Sequence, residues 1–139
     1  MAEFCYFRSM ISRFTLVVGM VCTMLALSFT EPEAKPMLII FTGSDWCANC
    51  RYLEKMVLRD SVFVHFASEN TNLIIADFPQ QNKQPDEIIT RNDSLAFLYN
   101  KDGVYPKLVL VQGEKATLIP YHRQRSPELI DELRKQLSQ

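Results

Sequence analysis

Phe41-Thr42-Gly43-Ser44-Asp45-Trp46-Cys47-Ala48-Asn49-Cys50 is the stretch on which the reading of this chain turns. It sets two thiols three positions apart, directly after the apolar run Met37 to Phe41 and directly before a segment with helical spacing. The pair therefore belongs at a strand-to-helix junction. A helix N-terminus carries partial positive charge and free N–H groups, and both favour a thiolate over a thiol. A free cysteine with a pKa of about 8.5 is only roughly 3 % ionised at pH 7, whereas one lowered to about 7 is half ionised. Cys47, first at the junction, gains that advantage. Cys50 lies one turn further on the same face, where it can attack a mixed disulfide formed at Cys47 and release it.

Outward from this stretch the pattern is that of an α/β domain. Met37 to Phe41 is continuously apolar, as expected of a central strand covered on both faces. After Cys47 the stripe Cys50, Leu53, Val57 and Leu58 predicts a helix with Arg51, Glu54, Lys55 and Arg59 largely on its other side. Ser61 to Phe66 continues or follows it, and Leu73 to Asp77 reads as a second buried strand. A strand, a helix and a parallel strand form a crossover, with its site at the carboxyl end of the first strand. Phe78 to Gln84 is polar, and Pro85 reads as a first helical residue. Ile88, Ile89, Leu95, Phe97 and Leu98 then give one broken or two short helices ending near Asn100 to Gly103. Leu108 to Val111 and Ala116 to Ile119, joined by Gln112-Gly113-Glu114-Lys115, form an antiparallel hairpin. Ser126-Pro127-Glu128 opens a last helix with a cap, a proline and an acid, and its stripe is Leu129, Ile130, Leu133 and Leu137. The expected architecture is a four-stranded mixed sheet with helices on both faces.

The N-terminal residues read differently. Arg8 and Arg13 precede the uncharged run Phe14 to Phe29, and Ala26 and Ser28 stand at −3 and −1 of a cut after Ser28. Residues 1–28 thus read as an export signal, either removed or kept as an anchor, and residues 29–36, with two prolines, as a linker to a domain over 37–139. Cys5 and Cys22 would leave with the signal, so that of the 4 cysteines only Cys47 and Cys50 would remain. A disulfide scaffold and a four-cysteine zinc site are then excluded. A metal site completed by His65 and His122 lacks the short histidine spacing such sites use. Two thiols that survive export point to redox chemistry, with no cofactor and no metal. A net charge of −1 and dispersed Lys and Arg residues give no footprint for nucleic acid.

Trp-Cys-x-x-Cys after a hydrophobic strand, with Tyr105-Pro106 later in the chain, resembles the thioredoxin family, and the longer Phe-Thr-Gly-Ser-Asp-Trp-Cys-x-x-Cys resembles its exported bacterial members. The resemblance runs from about Met37 to the C-terminus. Only about eighteen residues separate a cut after Ser28 from Cys47, so a trimmed thioredoxin-like fold is expected, and residues 79–100 read as an insert longer than the minimal fold has. The resemblance implies a thiol-disulfide oxidoreductase with Cys47 as nucleophile and Cys50 as resolving thiol, the two forming a redox-active disulfide. It also implies a cis proline at Pro106, opposite the cysteines, with Tyr105 pairing to bound peptide; Trp46 offers a flat apolar surface to the same substrate. The fitting role is a periplasmic dithiol reductase of disulfide-bonded exported proteins, monomeric and supplied with electrons by a membrane reductant of the DsbD type. An oxidase or isomerase, or a redox-silent peptide-binding module, are the alternatives. Ala48-Asn49 adds no cation and Asp45 opposes a thiolate, which favours the reducing end. One departure stands out: where many relatives carry a buried aspartate six residues before the nucleophile, this chain has Phe41. Proton transfer at Cys50 must then use water or another group, with Asp45, Glu54 and Asp77 as candidates.

Overall fold

The computed structural model describes residues 34–138. The export signal assigned to residues 1–28, and residues 29–33 of the linker, lie outside the described residues; 34–36 lead into the first strand without regular structure.

Strand β1 (Met37–Thr42) is the centre of the sheet. It pairs in parallel with β2 (Asn72–Asp77) and antiparallel with β3 (Lys107–Gln112), which pairs antiparallel with β4 (Lys115–Ile119), giving the order β2-β1-β3-β4. The uninterrupted apolar run of β1 is explained by cover on both faces. Leu38 and Ile40 enter a core with Leu53, Val57, Phe63, Leu108, Leu110, Leu129 and Leu133. Ile39 and Phe41 point the other way, into a smaller core with Ala76, Val109 and Val111, against which Leu95, Ala96 and Tyr99 pack. All four β1 side chains from Leu38 to Phe41 are fully buried, and each such burial contributes on the order of 1.5–3 kcal/mol.

Helix α1 (Ala48–Leu53) runs straight into a π-helical turn (Glu54–Leu58), and α2 (Ser61–Asn70) completes the crossover to β2. Asp60 caps α2, its Oδ1 accepting from the Val62 N–H at 3.0 Å. With α4 (Ser126–Leu137) these elements cover one face of the sheet, and α3 (Asp86–Tyr99) covers the other. Gly113, at φ 58°, takes the left-handed position of the two-residue turn between β3 and β4. Among the described residues no helix is long and apolar enough to cross a membrane.

Three local readings are corrected. Residues 86–99 form one unbroken helix, not a broken or paired one, and Pro85 is its cap rather than its first residue. Between its apolar positions lies Asn92, which is buried and donates to the Asp77 carbonyl at 2.8 Å, so it joins the helix to β2. Ser126 is not the cap of α4 either. It is fully buried inside the helix and donates to the Met56 carbonyl at 3.2 Å, while the Glu128 carboxylate accepts from the Arg125 N–H at 2.7 Å. A buried hydroxyl needs a partner, and here that need outweighs the usual capping role of serine.

Candidate active site

The turn between β1 and α1 is fixed from beneath. Thr42 is the register partner of Asp77 at the ends of β1 and β2. The Asp77 carboxylate accepts from the Thr42 hydroxyl at 3.0 Å, the Ser44 N–H at 2.8 Å and the Ser44 hydroxyl at 2.6 Å. The Cys47 N–H donates to the Gly43 carbonyl at 2.9 Å, closing the turn. A charged acceptor with several donors is among the stronger hydrogen-bond arrangements, so the start of α1 is held in place by the end of β2.

Cys47 is the cap residue of α1, with extended backbone (φ −87°, ψ 109°), and its Sγ accepts from the Cys50 N–H at 3.2 Å. The two cysteines are joined as a disulfide, with Cα atoms 5.2 Å apart. Cys47 keeps 8 % of its surface exposed and Cys50 only 1 %, so an incoming group meets Cys47 first. An N–H aimed at the Cys47 sulfur at a helix start stabilises negative charge there once the disulfide is opened.

Three aromatic rings stand beside the pair. Trp46 lies over Gly43, where a side-chain carbon would fall inside the indole ring. Its Nε1 donates to the Phe78 carbonyl at 2.7 Å, and it meets Tyr105 edge to face with centroids 5.4 Å apart. Phe78 also meets Tyr105 edge to face at 5.6 Å. The Tyr105-Pro106 bond is cis. Lys107 pairs with Phe41, so this dipeptide arrives at the carboxyl end of β1, the end from which the cysteine turn departs. Burial pushes the Tyr105 phenol up from its ordinary value, aided by Asp93 and opposed by a hydrogen bond with Asn100.

The site residues expected from sequence thus come together: Cys47 with Cys50, and Trp46 with Tyr105 and Pro106. Phe78 and the anchoring role of Thr42, Ser44 and Asp77 were not anticipated, Asp77 having been considered only for proton transfer. A single aromatic directly after β2 was the signal for Phe78, and the polar reading of residues 78–84 hid it; β2, expected to be buried, is an edge strand in which only Ala76 is buried. The three carboxylates considered for proton transfer separate clearly. Asp45 accepts from the backbone N–H groups of Gln80, Gln81 and Asn82 at 2.9, 2.7 and 3.1 Å. The Gln80 bond, followed by the other two, holds its carboxyl below the ordinary value, and Asp45 thereby secures the loop beside the rings. Glu54 and Asp77 instead line a cleft of about 310 Å³ that also reaches Cys50, together with Thr42, Ser44, Leu58, Arg59 and Ile75. His65 faces Glu69 at 3.5 Å along α2.

Comparison with known proteins agrees with this geometry. The thioredoxin-like family model matches residues 25–113. The chain is 38 % identical over 89 residues to the disulfide bond reductase DsbH of Chlamydia pneumoniae, a match that covers 64 % of this chain and 53 % of that protein. It therefore spans about half the length of that relative. Among solved structures, a DsbH oxidoreductase superposes with a TM-score of 0.68 and 32 % identity over 76 % of this chain and 74 % of that one. With a strand-to-helix cysteine pair, a cis proline opposite the same strand end and a family match over most of its length, the chain belongs to the thioredoxin-like family.

Proposed function

We propose that this protein is a thiol-disulfide oxidoreductase that works as a dithiol reductase of exported proteins in the periplasm. The observation that carries the reading is the pairing of Cys47, the more accessible sulfur, with the fully buried Cys50 at the start of α1, the inner N–H directed at the outer sulfur. In the reduced form the Cys47 thiolate attacks one sulfur of a substrate disulfide. That S–S bond breaks, and the other substrate sulfur leaves as a thiolate and takes up a proton. Cys50 then loses its proton and attacks the Cys47 sulfur, forming the Cys47–Cys50 disulfide and releasing the second substrate thiol. Two electrons pass from the pair to the substrate, and a membrane reductant of the DsbD type restores the dithiol.

Trp46, Tyr105 and Pro106, joined by Phe78, form the surface on which the substrate chain rests, with the protein acting as a monomer. The reducing direction draws support from Ala48-Asn49, which brings no cation to the thiolate, from the Asp45 anion, and from similarity to a protein named as a disulfide bond reductase. Export draws support from Arg8, Arg13 and the apolar run that follows.

The equilibrium potential of the Cys47–Cys50 couple against glutathione tests the direction. A value near that of thioredoxin, about −270 mV, is expected, and one above about −150 mV would mark an oxidase. Cys50→Ala tests the chemistry itself: mixed disulfides should accumulate at Cys47, whereas a binding module without redox activity would trap none.

A further inference from the structure

Resolution of the mixed disulfide requires the buried Cys50 to lose a proton, and the side chain at position 41 cannot accept one. Phe41, at the place where relatives carry an acid, is fully buried in an apolar core with Ile39, Ala76, Val109 and Val111. Cys50 also lines the cleft between the ends of β1 and β2 and the π-helical turn. Its charged groups are Asp77 from β2, Glu54 from the π turn and Arg59 just beyond that turn.

The two carboxylates are not equivalent. Asp77 is engaged on both oxygens by Thr42 and Ser44, and its task is to hold the cysteine turn. Glu54 lies four residues after Cys50, one turn along the same helical face. Only its Oε1 is engaged among the described residues, by Arg59 Nη2 at 2.6 Å. Its side chain is 40 % exposed, so it touches bulk water as well as the cleft. The π turn builds this placement. The Arg59 N–H donates to the Glu54 carbonyl at 3.1 Å, a five-residue step that brings Arg59 onto the Glu54 face, which a regular α-helix would not do. Single π turns inside helices recur at functional sites.

We infer that Glu54 is the proton-transfer residue for the resolving thiol, taking the Cys50 proton through water in the cleft and passing it to solvent. The inference rests on the exchange chemistry proposed above. In the resolving step the proton leaves Cys50 Sγ for a cleft water and then Glu54. The freed Sγ electron pair forms the bond to Cys47 Sγ, and the bond from Cys47 to the substrate sulfur breaks with its electron pair on the substrate, which is protonated from solvent. The cleft is large enough to hold several waters, as the relay needs. Glu54 acts on Cys50 through that water, not by contact.

The test is single-turnover reaction of the reduced full chain with the mixed-free symmetrical disulfide of thionitrobenzoate, a coloured thiol. One equivalent is released when Cys47 attacks and a second when Cys50 resolves, so the two steps are read separately across pH. Glu54→Gln is expected to leave the first release unchanged and to slow the second by about tenfold near neutrality, less than a directly bonded base would contribute. The two proteins should converge at alkaline pH, where Cys50 ionises unaided. Lys55→Gln, at an exposed position of the same π turn, should keep the wild-type profile. A Glu54→Gln profile that superimposes on wild type, a slowing equal at every pH, or the same effect from Lys55→Gln or Asp77→Asn would overturn the assignment. Wild type that gives no second release would remove the exchange chemistry itself, an outcome distinct from all of these.

Discussion

The indole of Trp46 rests on Gly43 so closely that a methyl group at residue 43 would occupy the ring. Gly43→Ala must therefore displace the indole, breaking the Nε1 bond to the Phe78 carbonyl and the edge contact with Tyr105. A hydrogen bond contributes about 0.5–1.5 kcal/mol and an aromatic pair about as much again, so a loss of roughly 2 kcal/mol is expected. Trp46 is the only tryptophan of the chain, and its fluorescence reports the displacement directly. Unchanged emission with an unchanged urea midpoint would show that the ring is not seated on the glycine.

Asp45 gives the site a dependence on acid. Its carboxyl is held below the ordinary value, first by the Gln80 N–H and then by those of Gln81 and Asn82. A carboxyl depressed in the folded state stabilises fully above its unfolded value, near 3.9, and loses that contribution as the pH falls through the lower folded value. The difference in urea midpoint between wild type and Asp45→Asn should thus be constant from about pH 5 to 7 and shrink below about pH 4. A difference that grew on acidification would contradict the bonding of the 80–82 loop to this carboxylate.

Much of this was legible in the chain because the dominant signals are local. The run Leu38 to Phe41 can only be a strand buried on both faces, and Cys47, Cys50 and Tyr105-Pro106 announce themselves by residue type and order. Other features depend on distant partners that no local pattern encodes. Ser126 reads as a cap until the Met56 carbonyl, seventy positions away, claims its hydroxyl. The apolar positions of residues 86–99 read as one broken or two short helices, and the bond from buried Asn92 to the Asp77 carbonyl has no counterpart in that pattern. The π turn leaves no mark either, since Leu53 and Val57 keep an ordinary helical spacing and both are fully buried. Its effect shows only in the placement of Glu54 and Arg59.

Asn92 ties α3 to the same strand end that holds the cysteine turn. Its Nδ2 donates to the Asp77 carbonyl, and its Oδ1 accepts from the Arg91 guanidinium at 2.9 Å. Asn92→Leu removes that bond, at a cost of about 0.5–1.5 kcal/mol. Because Asp77 anchors Ser44, faster hydrogen exchange is expected at the Ser44 and Cys47 amides as well as along β2. Protection lost in α3 alone would show that the two networks are independent.

Tyr121 provides the opposite case, a polar group whose removal helps. Its hydroxyl is buried and has no hydrogen-bond partner among the described residues. Burial, with a lesser contribution from Tyr52 and against the pull of Arg123, pushes the phenol up to about 12. Arg123, at φ 63°, places its guanidinium 4.3 Å from the Tyr52 ring, so the 120–125 loop closes on α1. Tyr121→Phe keeps the ring packed against the main core and deletes only the unpaired hydroxyl, so stability at neutral pH should hold or rise by up to about 1 kcal/mol. A phenol raised in the folded state contributes stability that is complete below its unfolded value near 10 and is lost as the pH climbs toward the folded one. Wild type should accordingly lose urea resistance between about pH 10 and 12, and Tyr121→Phe should lose less. A variant weaker than wild type at neutral pH would mean that the hydroxyl is bonded, and the same comparison at pH 11 would then show no advantage for phenylalanine.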